Sequence, residues 1–125
     1  MIKLNNKGQT LVVFVLLLPV FLALCAFVID VGVMAYENIK LKNVTKSILI
    51  NVVDKNKLNE NVIRDLYREN NINIDNLIIK LGENNILIEN NYFISSIFGK
   101  ILKIDEYEVR VNANMNIKNK KIIFE

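Results

Sequence analysis

Between Thr10 and Val33 the chain runs TLVVFVLLLPVFLALCAFVIDVGV, with Asp30 its only charged residue. As a helix, these roughly 24 residues would reach about 36 Å, more than the roughly 30 Å of a bilayer's hydrocarbon core. The pattern predicts a membrane span over residues 10–33, preceded by a polar leader, residues 1–9 (MIKLNNKGQ). Past the span, only Gly32 could break the helix. Leu41, Val44, Ile48 and Val52 then fall on one helical face, while Lys40, Asn43 and Lys46 turn elsewhere. An amphipathic extension over residues 34–53 follows, continuous with the span.

Residues 54–125 read as a small α+β domain. Asp54 to Asn59 (DKNKLN) is a polar break. A second helix places Leu58, Val62 and Leu66 at four-residue spacing, supports itself with a Glu60 to Arg64 pair, and ends by Asn70-Asn71. Its apolar stripe is narrow, which predicts a helix lying on the surface of a sheet. Leu77 to Leu81 and Ile86 to Glu89 read as a β-hairpin around the turn Gly82-Glu83-Asn84-Asn85. Asn90-Asn91 then leads into YFISSIFGKIL, which fits either a short helix or a loop covering the sheet end. Tyr107 to Met115 alternates as a half-buried strand with Tyr107, Val109, Val111, Ala113 and Met115 on one side. Ile122 to Phe124 fits a short edge strand after a turn at Asn119-Lys120-Lys121. The predicted fold is thus a long N-terminal helix packed on a small antiparallel sheet, a pilin-like α+β arrangement.

Two positions in the span carry physical meaning. Pro19 removes a helical hydrogen bond and can kink the helix, which membrane helices tolerate. Asp30 lies one turn from the outer end, and two roles are open to it. Its carboxylate can mark the headgroup interface, or it can meet a partner helix or a neighbouring subunit's basic group within the membrane. Lys3 and Lys7 precede the span, whereas the other flank opens with Tyr36 and Glu37 and becomes basic from Lys40. This predicts a single pass through the cytoplasmic (inner) membrane, N-terminus inside and C-terminus outside. A signal-peptide cut before Ala26 fits less well, because the apolar run continues beyond it.

Composition narrows the chemistry. The net charge of +3 is spread without a block of like charges, and aromatic residues do not interleave with basic ones, so no nucleic-acid partner is expected. Histidine is absent and the one cysteine, Cys25, is read as buried in the span, so neither a histidine-based triad nor a Cys/His zinc site can be built. Ser95 and Ser96 lack a recognisable general base, Asp105-Glu106 reads as a solvated turn, and Gly82 and Gly99 are isolated turn residues. No enzyme activity, cofactor, metal or small-molecule substrate is expected.

With Gly8-Gln9 opening an apolar helix, Pro19 some ten residues on, and Asp30-Val31-Gly32 before a polar helical run, the first third of the chain resembles the TadE/TadG-like pseudopilins. These belong to bacterial tight-adherence (Flp) pilus assembly. The resemblance implies cleavage by a prepilin peptidase between Gly8 and Gln9. It also implies helix packing in the membrane that involves Asp30 and Gly32, with other pilin-like subunits or assembly proteins as partners alongside membrane lipid. It departs at Val13, where proteins processed in this way commonly carry a glutamate five positions after the cut. The competing expectation is a single-pass, membrane-anchored accessory or binding protein unrelated to pili.

Overall fold

The computed structural model describes residues 6–125; the start of the leader, with Lys3, lies outside the described residues. The predicted span and its extension form one helix, α1 (Asn6–Asp54), of 49 residues, which passes through Pro19 without interruption. At 1.5 Å per residue it is roughly 73 Å long, far longer than the domain it carries. A Schellman motif ends it. Asn56 takes up left-handed backbone, its N–H bonds to the Val53 carbonyl, and the Lys57 N–H bonds to that of Val52.

Helix α2 (Glu60–Glu69) is capped by Asn59, whose side chain accepts the Asn61 N–H, and ends in the same motif built on left-handed Asn71. Its buried residues are Ile63 and Tyr67. The expected stripe of Leu58, Val62 and Leu66 is therefore rotated: Val62 and Leu66 are half-buried at its edge, and Leu58 is exposed. The reason is the position of α2, which packs chiefly on α1, where the Tyr67 phenol reaches the Thr45 hydroxyl at 2.6 Å.

Four strands form an antiparallel meander in the order β1 (Ile78–Leu81), β2 (Asn85–Ser95), β3 (Glu106–Asn116) and β4 (Lys121–Phe124). β2 is much longer than the predicted Ile86 to Glu89. The pair Asn90-Asn91 does not end it, because β3 supplies a partner for every residue from Asn85 to Ser95. The alternation continues inward through Asn90, Tyr92 and Ile94; the Asn90 amide donates to the Asn73 carbonyl at 3.0 Å, while its Oδ1 is buried without a partner among the described residues. The segment left open between helix and loop is thus strand to Ser95, followed by a single 3-10 turn, η1 (Gly99–Leu102).

The inner face of the sheet, Ile86, Ile88 and Tyr92 with Val109, Val111, Ala113 and Met115, closes on Leu41, Ile48, Leu49 and Val52 of α1 and on Ile63 and Tyr67 of α2. Each such aliphatic side chain contributes about 1.5–3 kcal/mol by leaving water. Thr45 and Leu49 join the buried stripe of α1, and Val44 sits at its margin. Lys120 pairs with Asp54 at the far end of α1, and about three turns earlier the Lys42 ammonium lies 4.7 Å from the Phe124 ring centre, tying β4 to the helix.

Candidate functional site

The face of α1 turned to the domain does not begin at Leu41. It starts three turns earlier, at Asp30, which is only 3% exposed. Eleven residues are close to three full helical turns, so Asp30 and Leu41 share a face. That spacing is legible in the sequence and puts Asp30 on the face of Leu41, without naming what meets it there. Asn38 and Glu37 continue the stripe: Asn38 Oδ1 accepts the Arg110 backbone N–H on β3 at 3.4 Å, and Glu37 accepts the Tyr92 hydroxyl at 3.2 Å. Burial, reinforced by the Glu37 charge, pushes the Tyr92 phenol up to about 12. Burial likewise raises Tyr67 to about 12.

The connection from β2 to β3 descends along α1 and meets Asp30. Ser96 Oγ donates to Asp30 Oδ2 at 2.7 Å, the Ile97 N–H donates to Oδ1 at 2.9 Å, and the Phe98 N–H reaches Oδ2 at 3.2 Å. Ser96 Oγ in turn accepts the Gly99 N–H. Two backbone bonds close the loop, Ser96 N to the Asp105 carbonyl and Ile104 N to the Gly99 carbonyl, both 2.9 Å. Gly99 is required by space. A Cβ there would lie 2.3 Å from Ser96 Oγ and 2.7 Å from the Ile104 carbonyl oxygen. This arrangement fixes a loop to a helix. The pattern of the chain alone leaves Asp30 between the headgroup interface and a partner helix or neighbouring subunit; the structure gives it an intramolecular set of donors.

The other singled-out positions lie apart from this cluster. Gly8 and Gln9 are in the first turns of α1. Pro19 is eleven residues before Asp30 on the bare part of the helix. Gly32 has open space: an added Cβ would meet nothing within 4 Å. Cys25, expected to be buried in the span, is exposed among the described residues, on the part of α1 that by length and composition can cross a membrane. Among the described residues no group of three or more His, Cys, Asp or Glu side chains gathers in a way that could hold a metal ion.

The structure therefore defines an α+β protein carried on one long helix. Among the described residues nothing buries the most apolar 18-residue window of that helix, and by length and composition the helix can span a membrane. Residues 8–46 match the family model described as TadE-like protein, a match that opens at Gly8 and takes in Pro19, Asp30 and Gly32. It covers about a third of the chain and points to a pilus-associated protein with an N-terminal apolar helix. No curated protein and no solved structure matches the chain.

Proposed function

We propose that the protein is a membrane-anchored, pseudopilin-like component of a bacterial pilus or secretion assembly system, with its leader in the cytoplasm and its domain outside the inner membrane. The observation that supports this reading best is the TadE-like match over residues 8–46, on a helix whose first part is bare and whose second part carries a domain. In this reading Gly8-Gln9 is the prepilin-type cleavage site. Pro19 bends the span. Gly32, with open space around it, lets a neighbouring pilin-like helix approach closely, and Asp30 sets where the domain sits on the helix.

The mature N-terminus, read by mass spectrometry on host membranes, tests the processing step. A start at Gln9 is expected; an intact Met1 would remove cleavage from the proposal. Replacing residues 10–33 with an unrelated anchor helix tests the role. Loss of copurifying pilin-like or assembly proteins is expected, whereas retained function would support the second reading, an accessory protein that uses the helix only as an anchor.

Val13 favours that second reading. A free amine at Gln9 would lack the usual carboxylate at the fifth residue after the cut, and an unpaired charge in an apolar bundle costs several kcal/mol.

A further inference from the structure

The β2–β3 loop reaches below the end of the span. If Leu11 marks one hydrocarbon boundary, about 30 Å of helical rise brings the other to the neighbourhood of Asp30. A small cavity of about 90 Å³ lies between Ala23, Ala26 and Phe27 of α1 on one side and Phe98, Ile104 and Tyr107 on the other. Asp30 holds the loop on α1 at its own level, and the space between loop and helix opens from there past Phe27 and Ala26 to Ala23, which stays exposed roughly 10 Å of rise below Asp30. Whatever surrounds α1 at the level of Asp30 also meets the loop.

The loop's surface fits lipid at that depth. Ile97, Phe98 and Ile104 turn 56%, 37% and 42% of their surface outward, at the end of a sheet whose outer face is mostly polar, with Glu89, Asn91, Glu108, Arg110 and Asn112 beside Leu87 and exposed Phe93. Lys100 and Lys103 are exposed between them. Irregular backbone is tolerated near hydrocarbon only when its polar groups are satisfied. Here the N–H groups of Ser96, Ile97, Phe98, Gly99, Lys103 and Ile104 all have partners, two of them supplied by Asp30 and one by Ser96 Oγ. The Asp30 charge and the loop's donors satisfy each other at a level where neither could rely on water.

We infer that the loop from Ile97 to Ile104 is a second membrane contact: the side chains of Ile97, Phe98 and Ile104 enter the acyl-headgroup boundary of the leaflet on the domain's side, and Lys100 and Lys103 meet lipid phosphates. The occupant is lipid because the patch is continuous with the bare face of the span. Two points of attachment then hold the domain at one tilt to the bilayer. The inference rests on α1 being a membrane span.

The chain has no tryptophan, so a single introduced indole reports on one site. Full-length Phe98→Trp, Phe21→Trp and Ile123→Trp proteins would be reconstituted in phosphatidylcholine vesicles whose acyl chains are brominated near the headgroup or deep in the chain. Ile97→Trp would serve as a second loop probe should Phe98→Trp fail to fold. Expected is loss of loop-probe emission with headgroup-proximal bromine, loss of Phe21→Trp emission with deep bromine, and unchanged Ile123→Trp emission. Quenched Phe21→Trp with an unquenched loop probe overturns the inference: red emission would place the loop in water, and blue emission against another protein surface such as a second copy. Unquenched Phe21→Trp would instead overturn the span on which the inference rests.

Discussion

Asp30 accepts the Ser96 hydroxyl at 2.7 Å across 66 residues of sequence, and through this bond the end of the sheet is fastened to the apolar helix. The carboxylate also holds the Ile97 and Phe98 N–H groups, so its removal frees several donors at once. Asp30→Ala is expected to leave membrane insertion intact and to speed amide exchange at Ile97 and Phe98 by on the order of tenfold or more. Asp30→Asn, which keeps acceptor oxygen but no charge, should fall between. Unchanged exchange in both variants, measured by mass spectrometry in detergent, would show that Asp30 does not organise the loop.

Gly99→Ala brings a methyl group against Ser96 Oγ and the Ile104 carbonyl. One of the two must move, and overpacking of this kind typically costs about 1–3 kcal/mol. The variant should lower the unfolding temperature and open the loop to protease. Gly32→Ala, where space is free, should leave both measurements unchanged.

Thr45 and Tyr67 share one hydrogen bond in the core, both fully buried. Tyr67→Phe leaves the Thr45 hydroxyl without this partner and should cost about 1–3 kcal/mol. Combining it with Thr45→Val removes both polar groups, so the double variant should lose less than the sum of the two singles. Additive losses in denaturant titration of the full chain would mean the bond contributes no coupling.

Tyr67 and Tyr92 are raised from the ordinary tyrosine value of 10.0 to about 12, in both cases mainly by burial. A raised value means the folded state holds the phenolic proton more tightly than the unfolded chain. The associated stability is full below pH 10 and is lost as pH rises toward 12. Alkaline unfolding should therefore begin in that window, with late tyrosinate absorbance that Tyr67→Phe and Tyr92→Phe each reduce.

Asn56 and Asn71 hold left-handed backbone at the ends of α1 and α2. Asn56→Ala and Asn71→Ala should each cost about 1 kcal/mol, because a Cβ without a local hydrogen-bonding group is disfavoured there, whereas Asn→Gly at either site should be close to neutral. Other asparagines act as local turn acceptors: Asn73, Asn116 and Asn119 each take the N–H two residues on. Part of the chain's asparagine thus serves turn chemistry.

The long helix, the second helix, the first hairpin and the strand at Tyr107 to Met115 were legible in the sequence, because hydrophobic period and turn residues act within a few positions of each other. The TadE-like resemblance was legible for the same reason, being carried by Gly8, Pro19, Asp30 and Gly32 on one helix. What tertiary structure alone decided depends on partners far along the chain. β2 runs through Asn90-Asn91 because β3 pairs with it to Ser95, and the rotation of α2 follows from Tyr67 meeting Thr45. Local pattern also could not assign Asp30 its donors: a lone acid in an apolar run looks alike whether a headgroup, a neighbouring helix or a loop 66 residues away satisfies it. Only the fold brings Ser96, Ile97 and Phe98 down to that depth, because the length of the β2–β3 hairpin sets how far its tip travels along α1.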